Sequence, residues 1–115
     1  MATKLPDEVK VKAAKGFFGK ALGLMFKRKV DYVLLMEFRN TSKNINLHSF
    51  FVFFKFHCIF LDEDKNIVDI EKDVPPFTMG ISTEKRAKYV LEIPEGIIDI
   101  DEFSIGGRLI LPDDR

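Results

Sequence analysis

Ser49–Leu61 reads SFFVFFKFHCIFL, and its alternation decides the fold. The even positions, Phe50, Val52, Phe54, Phe56, Cys58 and Phe60, are all apolar, so one face of a period-two element is buried throughout. The odd positions Phe51, Phe53, Ile59 and Leu61 are apolar too, but Lys55 and His57 interrupt them. A single straight strand of this length would reach roughly 43 Å, whereas a globule of this chain length measures about 35 Å across. The ribbon is therefore expected to bend or break between Lys55 and His57, making two successive strands. Phe50–Phe54 combines strand propensity with no charge, the composition of an aggregation-prone segment. Lys55 is its natural gatekeeper, and replacing it with valine is expected to lower soluble recovery on refolding; unchanged recovery would contradict this.

On the C-terminal side, Asp62–Asn66 (DEDKN) is turn chemistry and joins Cys58–Leu61 to Ile67–Ile70 as a hairpin. Asp73–Thr83, with Pro75, Pro76 and Gly80, reads as a surface loop. Lys88–Ile93 reads as a strand closed by Pro94, Glu95–Glu102 as a helical turn, and Arg108–Leu111 as a terminal strand after Gly106 and Gly107. On the N-terminal side, Asp31–Phe38 reads as a strand and Arg39–Asn46 as a polar loop. Val11, Ala14, Phe18, Leu22 and Met25 recur at three and four residues, which predicts a short helix ending near Gly23. Gly16, Gly19 and Gly23 each weaken that helix by about 1 kcal/mol, so packing has to hold it. The expected architecture is α+β, predominantly β. It is a small, compact, mixed or partly open barrel-like sheet with one N-terminal helix and a short C-terminal helical turn. Residues 1–115 form a single domain, with 1–10 and 112–115 as flexible tails.

The chain has 115 residues, of which 46% are hydrophobic, with twelve phenylalanines and no tryptophan. A domain of this size buries a core without disulfides or metal. Lysine plus arginine and aspartate plus glutamate both number 18, which argues against a protein built mainly to coat nucleic acid. The charge is graded, from +6 over residues 1–29 through +1 over 30–61 to −7 over 62–115. Such a gradient either marks a partner surface or, more ordinarily, means that the two ends lie close and neutralise each other. Cys58 is the only cysteine, so no intramolecular disulfide forms and the expected setting is the cytoplasm. The N-terminus is broken up by Lys4, Asp7, Glu8, Lys10 and Lys12, unlike a signal peptide. No apolar run is long enough to span a membrane as a helix.

Three ordered signatures carry a family resemblance. Gly23, Leu24, Met25 and Phe26, followed by Lys27, match an N-terminal Gly-Leu-Met-Phe/Tyr-Arg signature. Phe50–Phe54 and Ile59–Asp62 match a Phe-rich strand and a strand ending in Phe-Leu-Asp. Tyr89, Val90, Leu91, Glu92, Ile93, Pro94 and Gly96 complete a Tyr-Val-Leu-Glu-Ile/Leu-Pro-x-Gly signature. Over roughly residues 13–111 the chain resembles the family known as Domain of Unknown Function 192. The resemblance implies a compact strand-rich fold and no particular activity. The chain departs from the family at Lys55, Phe56 and His57, where members have Pro-Leu/Ile-Asp, and at Gly106 and Gly107, where members have Gly-Asp. If those two aspartates share a polar site in the family, this chain has lost it.

The chemistry-bearing residues are few. His48, His57 and Cys58 are the soft metal ligands, but neighbours on a strand point to opposite faces and zinc needs about four ligands. No metal or cofactor is expected. The same geometry excludes a cysteine–histidine nucleophile, and Cys58 on the apolar face reads as a small hydrophobe. His57 reads either as a partner-facing group or, more ordinarily, as a ring bonded to backbone at a strand break. Asp62, Asp64 and Asn66 open like a calcium loop, but Ile67 stands where that loop requires glycine. Lys15–Gly19 and Gly19–Lys20 have a passing likeness to an RNA-binding strand and a phosphate loop, without the surrounding elements either needs.

Three functions follow, in descending order. The first is a non-catalytic binding or accessory module that meets a protein partner through the face of Phe51, Phe53, Lys55 and His57. The second is nucleic-acid contact through Lys10, Lys12, Lys15, Lys20, Lys27, Arg28 and Lys29, which would weaken steeply with salt. The third is a small ligand binder or enzyme with Met25, His48 and His57 lining a pocket at the strand break.

Overall fold

The computed structural model describes residues 2–14, 31–42, 46–48, 54–76 and 79–111. The chain bends at Phe54 and enters strand at Phe56. The longest extent of the molecule is 34 Å, and the first part of the ribbon, residues 49–53, lies outside the described residues. The strands are β1 (Ala2–Lys4), β2 (Lys10–Ala14), β3 (Tyr32–Ser42), β4 (Asn46–His48), β5 (Phe56–Leu61), β6 (Ile67–Val74), β7 (Met79–Ser82), β8 (Ala87–Pro94) and β9 (Arg108–Ile110). A 3₁₀ turn spans Ile100–Glu102.

The β5–β6 hairpin follows from its turn. The Asp62 Oδ1 accepts from the backbone N–H of Asp64 and of Asn66, both at 2.9 Å, and its Oδ2 accepts from Asn66 Nδ2 at 3.1 Å. Lys65 takes the left-handed conformation that the tight turn needs, at φ 64°. Replacing Asp62 with alanine leaves two turn amides without their acceptor. The expected cost is about 1–2 kcal/mol, read as a lower urea midpoint at unchanged slope.

Five strands form the main sheet in the order β2-β3-β8-β5-β6. All its neighbours are antiparallel except β2 and β3, which run parallel with Val11 opposite Val33. The other pairs are β4 with β7, antiparallel, and β1 with β9, parallel. Because β5 lies between β8 and β6, all six of its residues are buried, and its alternation feeds two cores. Phe56, Cys58 and Phe60 pack with Tyr32, Leu34, Met36, Val74, Ile81, Ala87 and Val90 on one face. Ile59 and Leu61 pack with Val33, Leu91 and Ile93 on the other, beneath Leu5, Ile98, Ile100, Phe103, Leu109 and Leu111 from the terminal segments. Each fully buried side chain of this size contributes about 1.5–3 kcal/mol of transfer free energy.

Five expectations change. The α+β class gives way to a mostly β fold: among the described residues the only helical element is the 3₁₀ turn. The predicted N-terminal helix is overturned where it was to begin. Lys10–Ala14 is an edge strand, with Val11 packed against the second core. In so short a window Lys10, Val11 and Lys12 satisfy a period of two as well as a helical one, and the parallel pairing with Tyr32–Met36 decides between them. The remainder of that helix, residues 15–23, lies outside the described residues. The loop expected over Arg39–Asn46 is strand as far as Ser42. The loop expected over Asp73–Thr83 overlaps the last two residues of β6 and contains β7, which pairs with β4. The segment expected as an N-terminal tail is anchored: Ala2–Lys4 pair with Arg108–Ile110, and Leu5 is fully buried with its N–H donating to the carbonyl of Ile110. Residues 112–115 lie outside the described residues.

The acidic C-terminal half is organised as surface and caps. Asp99 caps the 3₁₀ turn by accepting from the Asp101 N–H at 3.0 Å, and Asp101 pairs with Lys72 at 2.9 Å. Among the described residues no helix is long and apolar enough to cross a membrane.

Candidate binding cleft and a buried carboxyl

Of the residues singled out from sequence, His48, Lys55 and His57 lie among the described ones. Met25, Phe51 and Phe53 lie outside the described residues. His48 ends β4 opposite Met79. Lys55 is exposed just before β5, and its carbonyl accepts from the Glu95 N–H at 3.0 Å. His57 is buried as the second residue of β5. Its Nδ1 accepts from the backbone N–H of Asp73 at 3.0 Å, so that nitrogen carries no proton in this arrangement. The bond sits where the β5–β6 register shifts, and Asp73 there has φ 53°, an arrangement that fits a β-bulge with its extra residue held by an imidazole.

Cys58 is free and buried, and its thiol is pushed well above the usual range, by burial first and then by the carboxyls of Glu92 and Glu71. Among the described residues no three His, Cys, Asp or Glu side chains converge as a metal site. His57 lies against Asp73 near the end of β6, whereas the Gly107 carbonyl accepts from the Ile67 N–H at its start. Six residues of strand, roughly 20 Å, separate them, so the two positions where the chain departs from its look-alikes do not share a site.

The described basic residues of the N-terminal segment make local contacts. Lys4 pairs with Asp7 and Lys10 with Asp31, both at 3.1 Å, and Lys12 lies 4.2 Å from the centroid of the Tyr32 ring. The Lys10 ammonium holds the Asp31 carboxyl below its ordinary value. These pairs join near neighbours on the sheet edge, not the opposite ends of the chain. Lys15, Lys20, Lys27, Arg28 and Lys29 lie outside the described residues.

A cleft of about 450 Å³ opens between the β5–β6 turn and the β7–β8 loop, lined by Asp62, Glu63, Asp64, Val68, Lys85 and Arg86. Its acidic wall is the hairpin turn, where the Asp62 carboxylate is spent on the turn itself. Its basic wall is braced from below. The Thr83 hydroxyl donates to Asp69 Oδ2 at 2.7 Å and accepts from the Lys85 N–H at 3.0 Å, which ties the loop to β6. Among the described residues, Lys85 and Arg86 have no ion-pair or hydrogen-bond partner for their charged ends. Sequence patterning alone missed this cleft. Its walls lie some twenty residues apart in the chain, and only the adjacency of β6, β5 and β8 brings them together.

Glu92 was also missed as a site residue. It sits in the middle of β8, 6% exposed, in register with Leu34 on one side and Cys58 on the other. Among the described residues its carboxyl has no hydrogen-bond partner, and burial pushes its pKa up to about 8. The signal was an acid inside the apolar run Tyr89–Pro94 of a strand flanked on both sides.

The family model described as Uncharacterized ACR, the Domain of Unknown Function 192, matches residues 2–111. A UPF0127 protein of Pyrococcus furiosus is 34% identical over 102 residues, covering 88% of this chain and 85% of that one. A UPF0127 protein of Thermococcus sibiricus is 32% identical over 101 residues, covering 87% of this chain but only 64% of that longer one. In fold, the chain is similar to a Sinorhizobium meliloti protein provisionally described as a transcription regulator. That structure aligns with TM-score 0.75 at 23% identity, over 84% of this chain and 76% of that one. A Novosphingobium aromaticivorans protein of unknown function aligns with TM-score 0.67 at 18% identity, over 77% and 65% respectively.

Proposed function

The chain belongs to the Uncharacterized ACR family, whose relatives carry no specific function, and from its own geometry we propose that it is a non-catalytic binding module whose recognition site is the Asp62–Arg86 cleft. The observation that carries this reading is the pair of cations Lys85 and Arg86, without charge partners among the described residues, on a braced loop across the cleft from an acidic turn. Ligand clefts commonly measure about 300–1,000 Å³ and use a few charged or polar groups to orient what they bind. The groups most suited to proton transfer or nucleophilic attack are committed elsewhere. His57 supports the bulge through Nδ1, and Cys58 is buried with its thiolate disfavoured. Of the seven basic residues of the nucleic-acid reading, the two that are described are engaged within the fold, Lys10 with Asp31 and Lys12 over the Tyr32 ring, which favours the cleft over the N-terminal segment. The proposed setting is the cytosol, which a free, buried cysteine suits.

Capture from native extract with the wild-type chain and with a Lys85→Glu/Arg86→Glu variant tests the reading. A partner confirmed with purified protein should lose at least tenfold in affinity with the double variant and be unaffected by Ile105→Ser. A partner that binds the double variant as well as the wild type would remove the cleft from the reading.

A further inference from the structure

We infer that the ligand of this cleft is a polypeptide segment carrying an acidic and a basic side chain close together. The inference deepens the binding-module reading and rests on it. Three charged groups at the cleft lack a partner among the described residues: the Lys85 ammonium, the Arg86 guanidinium and the Asp64 carboxylate. Asp62 is consumed by the turn, and Asp64 contributes only its backbone, its carbonyl accepting from Arg108 Nε at 3.3 Å. A polyanion such as nucleic acid would meet Lys85 and Arg86 favourably but would run against Asp62, Glu63 and Asp64 within the same cleft. A purely cationic ligand meets the converse repulsion. A peptide that places a carboxylate against Arg86 and an ammonium against Asp64 satisfies both walls, and arginine's planar fork suits the carboxylate. Val68, half-buried between the walls, offers apolar surface to the stem of a long side chain. The Thr83–Asp69 brace holds the basic loop in place before a ligand arrives, which reduces the ordering that binding requires.

The test is a titration of the isotopically labelled full chain, followed by amide resonances. The probes are acetyl-Glu-Ala-Lys-amide, acetyl-Glu-Ala-Glu-amide and inorganic phosphate. The mixed-charge peptide should shift Val68, Lys85 and Arg86 saturably, and Arg86→Ala and Asp64→Asn should each weaken it at least threefold while leaving the remaining spectrum folded. Equal or tighter binding of the all-acidic peptide or of phosphate would overturn the charge-pattern inference while leaving the cleft a binding site. Absence of saturable shifts with all three probes would overturn the inference as well. The binding-module reading stands or falls separately, on whether the captured partner distinguishes the Lys85→Glu/Arg86→Glu variant.

Discussion

Replacing Glu92 with glutamine should flatten the pH dependence of stability between about pH 4.5 and pH 8. The direction follows from burial. The folded pKa is raised from 4.5 to about 8 because burial takes the carboxyl out of water, and among the described residues it has no hydrogen-bond partner to offset that. Below pH 4.5 both states hold the proton, and Glu92 contributes no pH dependence. Between 4.5 and 8 the unfolded chain releases the proton and the folded chain keeps it, so stability falls with rising pH, by up to about 1.4 kcal/mol per pH unit. Above about 8 the loss is complete and the curve levels. Glutamine keeps the shape and removes the titration. The variant should therefore exceed the wild type by on the order of 2 kcal/mol or more at pH 8.5, with the gap closing toward pH 5. Urea midpoints at the two pH values measure it. Parallel curves for the two proteins would mean that Glu92 is not held uncharged. Asp31, whose shift has the opposite sign, is fully exposed and common to both proteins, so it cancels.

The second large effect belongs to Phe60. Its ring is fully buried in β5, with Val90 opposite on β8 and Asp69 opposite on β6. Truncation to alanine removes the apolar transfer term and leaves a cavity that two fixed neighbouring strands cannot close. The expected cost is about 3–5 kcal/mol, a large part of the roughly 5–15 kcal/mol total stability of an ordinary domain. Ile105, 63% exposed before β9, is the control: its replacement by alanine should stay within about 0.5 kcal/mol. A Phe60→Ala loss below about 1 kcal/mol would show that the first core is not packed around β5.

Several elements were legible because their signals are local. Asp62–Asn66 specifies a turn through one carboxylate and the amides next to it, so the β5–β6 hairpin followed directly. Tyr89–Pro94 is apolar at most positions and ends in proline, which marks a buried strand and its stop. The β2 strand was not legible as strand. Its five residues fit two periods, and the choice lies with a parallel partner beginning at Tyr32, which no local pattern contains. β7 was hidden by Pro75, Pro76 and Gly80: the two prolines mark a loop, but Gly80 lies within the strand Met79–Ser82 that pairs with β4. Of the candidate site, Lys85 and Arg86 read as ordinary surface charges, because a charge becomes a cleft wall only through what stands across from it.

By itself the sequence determined that this chain is strand-rich, that its mid-chain ribbon cannot run straight, and where one hairpin turns. Those outcomes depend on alternation, turn chemistry and length, which act over a few residues. Tertiary structure alone decided that Glu92 lies beside Cys58, that His57 serves a bulge, and that Asp64, Lys85 and Arg86 line one cleft. These depend on strand order and register, and register is set by two buried faces packing at once, a condition that no single segment carries.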